Sequence, residues 1–111
     1  MRSAGRMMSQ IKGKAQIFNF SAWIKDTNPN FLKERLNTLL LNSGFDVLGF
    51  QEHYFHPVGY TALWLLGESH LALHTFPEEK KSYIELSSCN PEYFQLFCDD
   101  ISNEMIIEEK E

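Results

Sequence analysis

Between Phe45 and Ser88 the chain carries four successive runs rich in β-branched and aromatic residues, about 45–56, 59–66, 70–76 and 82–88. The links between them are short: Pro57-Val58-Gly59, Gly67-Glu68 and Pro77-Glu78-Glu79-Lys80. Parallel neighbours need a crossover of roughly a dozen residues or more, so these connections predict a meander of antiparallel strands.

Two helices flank the meander. Asn28-Pro29 offers an N-cap followed by proline in the first turn, Phe31, Leu32, Leu36, Leu39 and Leu40 recur at helical spacing, and Gly44 supplies the stop. Leu41 widens the apolar stripe, and Lys33, Glu34 and Arg35 form a solvated face. Asn90-Pro91 repeats the cap for a second helix with Phe94, Phe97, Cys98 and Ile101 on one side. A strand over Ala15–Trp23 precedes the first helix, and Met105–Glu111 ends in a short edge strand. The order predicts an α+β fold, a two-layer sandwich of a largely antiparallel sheet with two helices on one face. The other face then wants cover, which a homodimer packed sheet on sheet supplies.

At 111 residues the chain has room for one core. Residues 1–13 are expected to be a flexible leader and 14–111 a single domain. Apolar residues make up 43% and include nine phenylalanines, enough for a packed interior. The 15 acidic against 10 basic side chains give a net charge of -5, which disfavours a nucleic-acid backbone as partner. No apolar run approaches a membrane span, and residues 1–14 lack the apolar stretch of a signal peptide, so a cytoplasmic protein without a membrane partner is expected. Cys89 and Cys98 are too few for a disulfide framework. Cys98, on the apolar side of a helix, is expected to be a buried small hydrophobe.

The chemistry concentrates in Glu68-Ser69-His70-Leu71-Ala72-Leu73-His74-Thr75-Phe76-Pro77-Glu78. Taken singly, a turn serine, a strand histidine and a strand-end cysteine each have a plain structural reading. Together, a serine directly after a glutamate, a histidine five residues on and a cysteine twenty residues on single out Ser69, His74 and Cys89. His70, His74 and Cys89 lack a paired-cysteine pattern, so no metal is expected. His53, His56 and His70 are expected to be structural.

This stretch resembles the short S-adenosylmethionine decarboxylases of bacteria and archaea, pyruvoyl enzymes marked by Glu-Ser-His leading into His-Thr-aromatic-Pro-Glu. The likeness extends upstream through Gly59-Tyr60-Thr61 and downstream to Cys89. It implies that the Ser69 hydroxyl attacks the carbonyl of Glu68, that the peptide becomes an ester, and that elimination and hydrolysis leave a pyruvoyl group on a fragment 69–111 released from 1–68. By the same resemblance His74 handles the proton and Thr61 assists with its hydroxyl, where relatives commonly carry serine. The cofactor, the pyruvoyl group made from Ser69, accepts a substrate amine and draws electrons while carbon dioxide leaves. Cys89 then returns a proton; Asn90 follows it where relatives usually show glycine.

Phe55 and Phe76 match the positions that stack an adenine, and Glu78 the carboxylate that grips ribose hydroxyls. Gln16–Ser21 lacks the pattern many relatives show there, so the resemblance leaves a second substrate class beside S-adenosylmethionine, a basic amino acid such as arginine or ornithine. A non-catalytic homologue that binds or regulates a partner is the contrasting class; a binding module has no use for Ser69, His74 and Cys89 together.

Overall fold

The computed structural model describes residues 16–105 and 107–110. Strand β1 (Phe18–Ile24) leads into helix α1 (Pro29–Ser43), then β2 (Val47–Tyr54), β3 (Tyr60–Leu66), β4 (Ser69–Phe76), a 3-10 turn (Pro77–Glu79), β5 (Lys81–Ser88), α2 (Pro91–Glu104) and β6 (Ile107–Lys110). Among the described residues one sheet holds six strands in the order β2-β3-β4-β5-β1-β6, every neighbour antiparallel. The predicted α+β sandwich, with both helices on one face, is what forms. The expected leader, 1–13, lies outside the described residues.

The helices begin where the Asn-Pro pairs place them. Asn28 Oδ1 accepts from Phe31 N–H and Asn90 Oδ1 from Tyr93 N–H, each at 2.9 Å, satisfying donors that a helix start leaves orphaned. At the far end of α1, Gly44 takes φ +109, and a Cβ there would stand 2.7 Å from the Tyr93 ring, so glycine meets both a conformational and a packing demand. Phe45 N–H then bonds Leu40 C=O at 3.0 Å. That cap claims Phe45 for the helix end, which is why β2 starts at Val47 instead.

Alternation in the strands divides the sheet. Tyr60, Ala62, Trp64 and Leu66 of β3, Leu71 and Leu73 of β4, Ile84 and Leu86 of β5, and Ala22 and Ile24 of β1 are buried with Leu32, Leu36, Leu39 and Leu40 of α1 and Phe97 and Ile101 of α2. Each such leucine contributes about 2 kcal/mol by leaving water. Trp64 is fully buried, and its indole N–H donates to Asn37 Oδ1 at 3.2 Å, pinning α1 to the sheet. Leu41 lies outside this core, 52% exposed, and Cys98 is only half-buried because Phe97 and Ile101 take the inner positions of α2. The face of α1 read as solvated is tied down in part: Lys33 pairs with Glu52 at 3.0 Å and Arg35 with Glu104 at 2.7 Å.

Glu52 also accepts the Tyr60 hydroxyl at 2.5 Å. Burial, reinforced by that bond, raises the Tyr60 phenol above its ordinary range, while the bonds from Tyr60 and Lys33 hold the Glu52 carboxyl below its own. A lowered carboxylate stabilises the fold above its unfolded value and loses that contribution as pH falls through the folded one; a raised phenol contributes below its unfolded value and loses it as pH rises. The tie is therefore complete between the ordinary carboxylate and tyrosine ranges. Tyr60→Phe is expected to flatten both limbs of a plot of melting temperature against pH. A variant whose acid and alkaline limbs both superimpose on the parent's would show that the tie contributes nothing.

Candidate active site

The two-residue turn Gly67-Glu68 sets Leu66 opposite Ser69, and the register runs from there to bring Thr61 opposite His74. Their side chains meet: Thr61 Oγ1 lies 3.0 Å from His74 Nδ1. Both stand on the helix-free face, half-buried, in a cross-strand row that continues to His53 on β2 and to Tyr83 and Trp23 on β5 and β1. His53 is exposed, with its ring 4.5 Å from that of Phe55 and edge-on to it. His56 and His70 are exposed as well, so the histidines expected to be structural are not core groups.

A cleft of about 370 Å³ opens at this end of β3 and β4. Phe55, Thr61, His74, Phe76 and Glu78 all line it. Gly59, at φ +115, lets the chain turn back so that Phe55 N–H reaches Gly59 C=O at 2.9 Å, and the Phe55 ring is left half-exposed instead of entering the core. Phe76 packs on Trp23 at 5.7 Å between centroids. Glu78 is exposed on the 3-10 turn, and the Thr75 hydroxyl, buried beside the cleft, has no hydrogen-bond partner among the described residues. The cleft thus offers two aromatic faces, a carboxylate and a hydroxyl–imidazole pair, a set suited to a flat ring and a diol.

The other expected residues gather at the opposite end of β4. Glu68 precedes the strand with φ +54, a left-handed conformation that costs a residue with a Cβ about 1 kcal/mol or more. The peptide bond expected to break therefore adjoins a strained residue. Ser69 is 7% exposed, on the helix-facing side, and its hydroxyl donates to Ser88 Oγ at 2.8 Å. Ser88 Oγ in turn accepts from Asn90 N–H at 3.0 Å. Between them Cys89 is held outward, an exposed thiol outside any disulfide, in a groove of about 590 Å³ shared with Gly67, Glu68 and the first residues of α2. This placement removes the plain reading of Cys89 as a core thiol. Asn90 is employed as the cap of α2.

The expected site is thus divided within one chain. Ser69 and His74 are five residues apart on a single strand, so they lie about 17 Å apart and on opposite faces. Sequence reasoning treated them as one constellation, although an odd spacing at period two already implies separation. It missed Ser88 altogether: a serine at a strand end carries no signal until the β4–β5 register places it opposite Ser69. Among the described residues there is no cluster of three or more His, Cys, Asp or Glu able to hold a metal, and no helix long and apolar enough to cross a membrane.

Comparison with known proteins gives this arrangement a context. A solved adenosylmethionine decarboxylase from Aquifex aeolicus superimposes with a TM-score of 0.72, covering 89% of this chain and 88% of that one at 18% identity, a likeness of fold. The S-adenosylmethionine decarboxylase proenzyme 2 of Bacillus cereus is 42% identical over 60 residues, 54% of this chain and 49% of the relative. The S-adenosylmethionine decarboxylase proenzyme of Prochlorococcus marinus is 37% identical over 59 residues, 53% of this chain and 47% of the relative. The chain matched thus spans about half the length of these curated relatives. The profile described as S-adenosylmethionine decarboxylase matches residues 20–108, which include both ends of β4 and Cys89. On that match, this chain belongs to the S-adenosylmethionine decarboxylase family.

Proposed function

We propose that the chain is a proenzyme that cuts itself between Glu68 and Ser69 and then decarboxylates S-adenosylmethionine, giving an aminopropyl donor of the kind used in spermidine synthesis. The observation that carries the reading is the pair of half-sites on β4: the left-handed Glu68 before Ser69 beside an exposed Cys89 at one end, and Thr61 bonded to His74 in an aromatic cleft at the other. The pyruvoyl group suits the first of these, since Ser69 is the first residue of its strand and Cys89 shares the neighbouring groove. Such a group supplies a ketone that accepts the substrate amine and an electron sink for the loss of carbon dioxide. In this reading Cys89 returns a proton there, Phe55 and Phe76 flank the adenine, and Glu78 binds the ribose.

One chain does not close this site, and a second copy does. Leu63 and Leu65 are 43% and 56% exposed on the helix-free face, where Ala72 leaves a low centre between the two ends of β4. Two sheets packed face to face, about 10 Å apart and related by a two-fold axis across the strands near Ala72, bring the Glu68–Ser69 end of each copy over the Thr61–His74 end of the other. Burying the leucines supplies the association energy. A cytoplasmic location belongs to the same reading, because Cys89 must stay reduced.

An intact mass of the purified protein under denaturing conditions tests processing: fragments 1–68 and 69–111 are expected, the second with a blocked terminus. Carbon dioxide release from S-adenosylmethionine, and none from arginine or ornithine, is expected of the cut protein. An uncut chain after long incubation would leave the family fold without its chemistry, and release from a basic amino acid alone would replace the substrate.

A further inference from the structure

We infer that Ser88 holds the nucleophile: its hydroxyl fixes the Ser69 side chain for attack on the Glu68 carbonyl and is the first acceptor of the Ser69 proton. The inference rests on the self-cleavage proposed above and adds a residue to it. Ser88 and Ser69 are opposite each other across β4 and β5, 1% and 7% exposed, with Oγ to Oγ at 2.8 Å. A serine hydroxyl turns freely about χ1 unless something holds it, and water has little access to do so here. Ser88 is itself fixed, because its oxygen accepts from Asn90 N–H at 3.0 Å and Asn90 caps α2. The result is a short line from the helix start to the reacting oxygen.

The attack forms a bond between Ser69 Oγ and the Glu68 carbonyl carbon and breaks the bond from that carbon to the Ser69 nitrogen. The electron pair of the broken bond goes to the nitrogen, which takes up the proton the hydroxyl has lost. No oxidant or other reactant enters. With its proton directed at Ser88, Ser69 Oγ keeps its lone pairs for the carbonyl, and Ser88 passes on one proton as it receives another. Ser88 also precedes Cys89, so the same bond to Asn90 that steadies the nucleophile steadies the thiol beside it.

The test compares Ser88→Thr with Ser88→Val, two side chains of one shape that differ by the hydroxyl, with Ser88→Ala as the smaller variant should either methyl prevent folding. Cleavage is followed by intact mass in freshly purified protein. Ser88→Thr is expected to cut near the parent rate, and Ser88→Val and Ser88→Ala about ten- to a hundredfold more slowly, at or below the lower bound of what positioned proton transfer contributes. Hydroxylamine, which breaks esters, is expected to release no extra fragment from Ser88→Val, because the ester does not accumulate. Parent-like rates in Ser88→Val or Ser88→Ala would overturn the inference, as would equal slowing in the Thr and Val forms. Fragments released from Ser88→Val by hydroxylamine would move Ser88 to a later step and overturn it too. A parent that never cuts is a distinct result: it removes the proposed self-cleavage, and this inference with it.

Discussion

Co-expressed and allowed to pair at random, Ser69→Ala and His74→Ala chains are expected to recover cleavage that neither shows alone. Ser69→Ala has no hydroxyl to attack Glu68 and stays whole. His74→Ala keeps the hydroxyl but lacks the imidazole bonded to Thr61, and its cleavage is expected to fall by about 10²–10⁴. In a mixed dimer of the proposed arrangement the Glu68–Ser69 end of one chain lies over the His74 end of the other, so one of the two sites is whole. With equal chains in a two-fold dimer, about half of the His74→Ala chains sit in such pairs and become cuttable. Intact mass distinguishes the two proteins and shows which was cut. Within one chain the two are out of reach: about 17 Å along β4 is several times any hydrogen-bond distance, and the two side chains leave opposite faces of the strand. If the mixture stays whole while the parent is cut, the site closes within one chain and the two-copy arrangement is wrong. Fully cut His74→Ala alone would remove His74 from processing.

The sequence made some of this legible and hid the rest for physical reasons. Helix starts were readable because Asn-Pro pairs satisfy orphan donors locally, and both caps formed at Asn28 and Asn90. The meander was readable from turn lengths, and the turn at Gly67-Glu68 carries the Thr61–His74 pairing with it once recognised as two residues long. Phe45 was misread as strand because a cap bond from Gly44 and Phe45 outcompetes the ladder there, a contest that propensity does not register. Leu41 looked like core but faces solvent, since four leucines already fill the side of α1 that meets the sheet. Cys98 lost its inner place to Phe97 and Ile101 in the same way. Most of the candidate site was named from the likeness to a family, but its division was not drawn from the spacing that encodes it. Ser88 depends on a β4–β5 contact across the 3-10 turn, which no local pattern reports.

Cys89→Ala separates the two halves of the proposed chemistry. Its thiol lies in the groove with Glu68, while the Ser69 hydroxyl points to Ser88, so cleavage into 1–68 and 69–111 is expected to proceed at the parent rate. Decarboxylation has a different demand. Carbon dioxide leaves before the proton is required, so the first turnover at each site needs no thiol, whereas every later one waits for a proton to arrive. The expected record is a burst of up to about one carbon dioxide per site followed by a steady rate lowered by about 10²–10⁴, the range for losing a positioned proton donor. The exposed position of Cys89 makes the substitution structurally mild, since no core contact is lost. A steady rate equal to the parent's would free Cys89 from any part in turnover. Slowing with no burst would mean that the thiol acts before carbon dioxide leaves, and failure to cleave would tie it to Ser69 instead.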